Sequence, residues 1–134
     1  MIPAIHDLLT TRLQMNTQPS KNHKMHIDRN TINGTCDGRE SMLQVIYKIL
    51  NTERYLYAIY SWNYGIELQD LFGEPVSYVC AELERRIREA LMQDDRVESV
   101  TDFEFDTSKR HEVVCAFVAH TIFGALKVEK GVTY

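Results

Sequence analysis

Chemistry in a protein needs side chains that titrate, ligate or attack, and this sequence offers several starting points. Five histidines raise the question of a metal first. Only His23 and His26 lie close together, in a segment that reads as a strand. Strand residues three apart point to opposite faces. No cysteine or carboxylate cluster completes the three or four ligands that a zinc site requires. The sequence therefore predicts no metal and no cofactor. His120 falls in an apolar run and reads as a hydrogen-bonded core histidine. A nucleophile needs a base and an orienting group in a recognisable context. There is no Gly-x-Ser-x-Gly elbow, and Cys36, Cys80 and Cys115 sit in no nucleophile signature. No glycine-rich phosphate loop is present. Glu53, Glu67 and Asp70 are candidates for a glycosidase pair. That reaction needs two carboxyl groups roughly 5–9 Å apart. Structural roles for these acids are the simpler reading, and no catalytic residue is assigned.

The feature that stands out is Glu53-Arg54, set between Leu50-Asn51-Thr52 and the apolar Tyr55-Leu56-Tyr57-Ala58-Ile59-Tyr60. Charges leading into an apolar segment lose water. They need a partner inside the protein or across an interface to offset that loss. This block predicts charges that pair either internally or across a subunit boundary.

The elements that must hold these residues can be read in order. Residues 1–22 form an N-terminal arm in which Ile5, Leu8, Leu9 and Leu13 line one side of a short helix, and residues 23–134 form the domain. The arm reads either as a docking segment for a neighbour or as a frayed terminus. His23–Asp28 and Thr31–Thr35 read as a hairpin around Arg29-Asn30. Asp37-Gly38-Arg39-Glu40 has the form of a capping box and starts a helix that runs to Leu50. Its wide apolar stripe, Met42 to Leu50, implies a helix buried on two sides, or one buried against the fold and also against a partner. Tyr55–Tyr60 reads as a strand from its aromatic content, and Ser61–Gly65 as a loop. Glu67–Phe72 is a short helical turn ending at Gly73.

A second helix begins at Pro75 or Ser77 and ends near Gln93, with Val76, Val79, Cys80, Leu83, Ile87, Ala90 and Leu91 on one face. Its Glu82–Arg86 and Glu84–Arg88 pairs read as solvated, each worth about 0.3–0.5 kcal/mol. Val97–Phe105 is a strand and Asp106–Arg110 a polar hairpin turn. Val113–Phe123 is a strand apolar on both faces, so it is central or partner-covered. Residues 125–134 alternate again. The class is α+β, one domain, with a small mixed or antiparallel sheet packed with two main helices.

Composition narrows the function classes. The 134 residues suit one domain, which can bury roughly 68% of its unfolded surface without staples. A net charge of −4 argues against a general nucleic-acid binder. The basic stretch Lys21–His26 reads as a solvated segment. Three scattered cysteines are no disulfide framework and suggest a reducing compartment. The first residues do not form a signal peptide. No run approaches the ~20 apolar residues that cross a bilayer. Assembly in a cytoplasm is expected, with no membrane and no nucleic-acid partner.

Together these blocks resemble a known family. Ile49–Arg54, the aromatic segment, Tyr64-Gly65, Leu68–Phe72, the long helix and Asp94-Asp95-Arg96 look like the wedge subunit of contractile-tail baseplates. The resemblance covers about residues 20–124. It is greatest to the version in PBSX-type prophages and phage-tail-like bacteriocins. The lysozyme-like baseplate subunit of type VI secretion systems is related. Leu50 and Thr52 match the family's Leu-x-Thr, and Tyr64-Gly65 its aromatic-Gly. Asp94-Asp95-Arg96 keeps the arginine of a Glu-Pro-Arg tripeptide but replaces its proline by aspartate.

The resemblance implies a structural subunit, six copies per baseplate, that docks other wedge proteins and starts the tail sheath, with tube or hub proteins as further neighbours. Its mature location would be the baseplate of a virion or tail-like particle. Candidate partner-binding residues are Glu53, Arg54, Tyr64, Gly65, Arg96, Leu126, Val128, Val132 and Tyr134. The last four would fill a partner's face from an edge strand, unless that strand pairs only within its own sheet. The rival functions are a tail-borne peptidoglycan hydrolase and a free-standing protein-binding adaptor.

Overall fold

The computed structural model describes residues 18–134, so the arm positions Ile5, Leu8, Leu9 and Leu13 lie outside the described residues. The predicted hairpin forms first, as β1 (Asn22–His26) and β2 (Thr31–Cys36), turned through a 3₁₀ helix at Ile27–Arg29. Asn30 closes the turn at φ 51°, a left-handed conformation that asparagine tolerates. The hairpin is mostly exposed. Its attachment is polar. The Gln44 amide accepts from Met25 N–H at 2.9 Å and donates to the His23 carbonyl at 2.6 Å.

Helix α1 (Gly38–Leu50) starts at Asp37, whose carboxylate accepts from Gly38 N–H at 2.7 Å. Glu40 does not complete the capping box but pairs with Lys24 at 2.6 Å. Met42, Ile46, Ile49 and Leu50 are buried, while Leu43 and Tyr47 of the same wide stripe stay exposed. Helix α2 (Val76–Met92) is capped by the Pro75 carbonyl, which accepts from Val79 N–H at 3.0 Å. Its Val79, Leu83, Ile87, Ala90 and Leu91 are buried.

Both helices lie on one face of an antiparallel sheet in the order β3-β4-β5, formed by β3 (Val97–Asp106), β4 (Glu112–Thr121) and β5 (Gly124–Thr133). The core joins the helix residues to Val97, Val100, Val113, Cys115, Phe117, Ala119, Leu126 and Val132. The fold is α+β, with two separate antiparallel sheets instead of one. β4 is the central strand, as its two apolar faces imply. Val113, Cys115, Phe117 and Ala119 face the helices, and Val114, Ala116 and Val118 lie half-buried on the opposite face. His120 is on that outer face, hydrogen-bonded to Thr101 Oγ1 at 2.9 Å, and so is not a core histidine.

One predicted strand does not exist. Tyr55–Tyr60 is a series of turns, and Tyr55 itself has φ 68°. Aromatic β-preference reflects how well a side chain fits a pleated, half-buried surface. Among the described residues no neighbouring strand supplies that surface, and the side chains project from the domain. The segment's only ladder element is a single parallel bridge between Glu53 and Ile66.

Candidate functional site

The motifs on either side of the aromatic segment are two halves of one closure. Ile66 N–H donates to the Thr52 carbonyl at 3.0 Å, and Arg54 N–H donates to the Ile66 carbonyl at 3.1 Å. These bonds tie residues 52–54 to residue 66 and make the intervening chain a closed loop. Gly65 sits at φ 92° inside the closure. A Cβ placed there would lie 2.5 Å from the Thr52 carbonyl oxygen, so no side chain fits. Thr52 Oγ1 donates to the Lys48 carbonyl at 2.7 Å and so caps the end of α1.

The two charges beside this closure are satisfied within the chain. Both Glu53 oxygens accept from Leu68 N–H at 3.1 Å, and one also accepts from Gln69 N–H at 3.2 Å, anchoring the 3₁₀ helix Gln69–Leu71. Arg54 is buried, donating to the Gly65 carbonyl at 3.3 Å and to Glu89 at 2.9 Å. Arg96 is buried too. It grips Asp94 through Nη2 at 2.7 Å and Nε at 2.9 Å, and its Nη1 reaches the Pro19 carbonyl at 3.4 Å. Burial by itself would raise the Asp94 carboxyl, but the Arg96 hydrogen bonds outweigh it and hold the group below the usual carboxylate range. Asp95 is exposed, and its carboxylate adds to the forces that hold Asp94 low and Arg96 charged.

Sequence reasoning missed a third buried arginine. Arg86 donates to Glu82 at 3.1 Å, to the Glu67 carbonyl at 2.9 Å and to both oxygens of Asp70. It is not the solvated i,i+4 partner that its helical spacing suggests. Asp70 is held below its ordinary range by these hydrogen bonds. The Glu82 spacing was visible in the sequence. The approach of Asp70 from a separate loop carried no local signal.

Two of the glycosidase candidates, Glu53 and Asp70, are thus engaged through their carboxylates, and Glu67 takes part through its main-chain carbonyl. Burial pushes the Cys115 thiol up to about 12, which leaves little thiolate near neutrality. Among the described residues no group of three or more His, Cys, Asp or Glu can hold a metal. His26 Nε2 instead contacts the Asn33 carbonyl at 3.2 Å. No described helix is long and apolar enough to cross a membrane.

Glu53, Arg54, Tyr64, Gly65 and Arg96 cluster around the loop closure and a neighbouring cleft of about 200 Å³, which Tyr64, Gly65 and Asp94 line. Leu126, Val128, Val132 and Tyr134 lie apart from it, on and just beyond β5. Leu126 and Val132 are fully committed to the core, and Val128 packs against it. Leu126 and Val132 are thus covered by this chain's own core, and Val128 is half-buried. Tyr134 is half-buried, with its ring 6.1 Å from that of His111.

What β5 does present is its main chain. It pairs with β4 over ten consecutive positions without a bulge, and no described strand covers its other edge. Tyr134 N–H donates to the His111 carbonyl, which fixes the phase of the ladder. Residues bonded to β4 alternate with residues whose N–H and C=O face outward. Ala125, Lys127, Glu129, Gly131 and Thr133 are the outward set. The opposite edge, β3, is different. Its register breaks twice, Asp102 adopts φ 57°, and Asp102, Glu104 and Asp106 are exposed along it. Bulges and charge are the usual means of blunting an edge.

Comparison with known proteins agrees with this arrangement of motifs. The phage-like element PBSX protein XkdS of Bacillus subtilis (strain 168) is 38% identical over 117 residues, 84% of this chain and 82% of the relative. Residues 12–124 match the contractile injection system sheath initiator family. The chain belongs to that family and is a structural protein of the contractile-tail class.

Proposed function

We propose that this chain is a baseplate wedge subunit that docks other wedge proteins and starts sheath assembly by offering the open edge of β5 as a template for an incoming strand. It is assembled in the bacterial cytoplasm, and six copies surround the inner tube in the finished baseplate. The observation that carries this reading is the contrast between the two edges of the sheet, one regular and open and the other bulged and acidic. Strand addition derives affinity from main-chain hydrogen bonds and register from alternating side chains. The exposed aromatic loop and the open side of α1, with Leu43 and Tyr47, are surfaces for neighbouring wedge proteins.

Deleting β5 does not test the seam, because Leu126 and Val132 would leave the core with it. Proline separates the two roles. Lys127 N–H faces the open edge, so Lys127→Pro removes an outward donor and spares the β4 ladder. Val128 N–H lies in that ladder, so Val128→Pro breaks the sheet. The expected result is a folded Lys127→Pro subunit that enters baseplates from which no sheath extends, and a Val128→Pro subunit that does not fold. Sheath of normal length on Lys127→Pro baseplates would rule out the β5 seam.

The subunit has no hydrolytic role in this reading. Glu53 already accepts three main-chain hydrogen-bond contacts, and Asp70 is held by Arg86. Zymography of the purified protein on peptidoglycan is expected to show no clearing. Clearing that disappears in Glu53→Gln would establish the hydrolase instead.

A further inference from the structure

Beside the open edge of β5 lies a cleft of about 350 Å³, walled on one side by Leu68, Gln69 and Phe72 and on the other by residues 130–133. Gly131 and Thr133 belong to the outward main-chain set, so the cleft borders the edge at which a strand would add. Phe72 is its exposed wall, at 72%. A bare aromatic side chain next to a free strand edge invites association from two sources at once.

This wall is preformed. Leu71-Phe72-Gly73-Glu74 is a tight turn in which Glu74 N–H donates to the Leu71 carbonyl at 3.2 Å. Phe72 at φ −66° and ψ 124°, followed by Gly73 at φ 86°, is type II geometry, which calls for glycine or asparagine at its third position. Leu71 is fully buried and roots the turn in the core. Just before it, the Glu53 carboxylate holds Leu68 and Gln69 N–H, and Arg86 holds Asp70. On the opposite wall, Lys130 donates to Asn51 Oδ1 at 2.8 Å, at the end of α1. Glu53 and Arg86 thus share an effect, which is to fix Phe72 in place across from β5.

Register decides what enters. Leu126, Val128, Lys130 and Val132 face the helices, while Lys127 and Glu129 are exposed on the other face. Residues side by side on neighbouring strands point to the same face. In a strand added to β5, the residues beside Lys130 and Val132 therefore point to the helix side, into the cleft. The alternate residues lie beside Lys127 and Glu129 and meet charge and water. An apolar cavity of roughly 150 Å³ already holds benzene, so a large side chain has room here.

We infer that the strand received by β5 alternates, with a large aliphatic or aromatic side chain beside Lys130 or Val132 that packs against Phe72, and polar side chains of opposite charge beside Lys127 and Glu129. This rests on the reading of β5 as the sheath seam. Main-chain bonds accept any sequence, whereas the cleft selects one strand in one register.

Purified baseplates carrying each variant are titrated with purified sheath protein, and electron microscopy gives the concentration at which half of them bear sheath. Phe72→Ser removes the wall at an exposed position and leaves the turn intact. It is expected to enter baseplates normally and to raise that concentration roughly 10–100-fold, the factor that one lost aromatic burial gives. Phe72→Leu, still apolar, is expected to stay near the parent. A benzophenone amino acid at position 72 is expected to cross-link to a sheath segment that alternates apolar and polar residues. Unchanged assembly with Phe72→Ser, while Lys127→Pro baseplates bear no sheath, would overturn the cleft and leave the seam. Normal sheath on Lys127→Pro baseplates would remove the seam and the cleft with it, whatever Phe72→Ser does. A folded Phe72→Ser subunit that fails to enter baseplates would also overturn the inference, by giving the cleft to a wedge protein.

Discussion

Replacing Gly65 by alanine is expected to destabilise the protein by roughly 3–5 kcal/mol, at the upper end of what single substitutions do. Two effects add. A left-handed backbone costs an L-residue about 1–2 kcal/mol. The new Cβ would also lie 2.5 Å from the Thr52 carbonyl oxygen and 3.3 Å from Arg54 N. Both neighbours are main chain, and both are fixed by the closure bonds to Ile66. Relief of the clash must break those bonds, which also removes the carbonyl that Arg54 uses. Gly73→Ala is the internal comparison, since Gly73 has φ 86° but nothing within 4 Å of its added Cβ. Urea unfolding of the two variants separates backbone strain from clash. Equal losses would show that the Thr52–Ile66 closure yields freely and is not the clasp of the loop.

Arg96→Ala is expected to cost about 3–5 kcal/mol at neutral pH, because it strands a carboxylate that is itself buried. The Arg96 and Asp94 side chains are only 5% and 9% exposed. The pH dependence identifies the cause. In the parent, Asp94 is held below its ordinary value, so its stabilising contribution is complete above the unfolded pKa of about 3.9 and is lost as pH falls through the lower folded value. In Arg96→Ala burial is opposed only by the main-chain N–H of residue 96 and by Asp95, so the carboxyl rises from its parent value. The variant's deficit is then greatest at neutral pH and shrinks as acid protonates Asp94. Unfolding free energies measured at neutral and mildly acidic pH give this directly. A deficit that does not change with pH would place the loss in packing rather than in the pair.

The readable parts of the fold are those specified by local pattern. The Asp37 start and apolar spacing place α1 within its observed bounds, and the same spacing places α2 within one or two residues. The three long strands follow from alternation and from the polar turn at Asp106–Arg110. The failures share a cause. Tyr55–Tyr60 has strand composition, but among the described residues no strand lies where it could pair. Arg86 has the spacing of a surface pair, but Asp70 reaches it from another segment. Leu126 and Val132 alternate like an exposed edge, although the edge is open only at its main chain. Glu53, Arg54 and Arg96 could be singled out because charges next to apolar segments require partners. Which partners they found depended on three-dimensional closure, and sequence spacing does not encode that.

The unequal edges of the β3-β4-β5 sheet bear on stoichiometry. A sheet with two regular edges could join copies of itself head to tail into an open fibre. With β3 bulged and acidic, a second copy has no regular β3 edge on which to repeat the pairing head to tail. Under the proposed strand addition at β5, growth from such a subunit would have a direction and a definite start, and each copy would seed one addition. The number of growing points would then follow the number of subunits in the proposed ring, and not their concentration in solution.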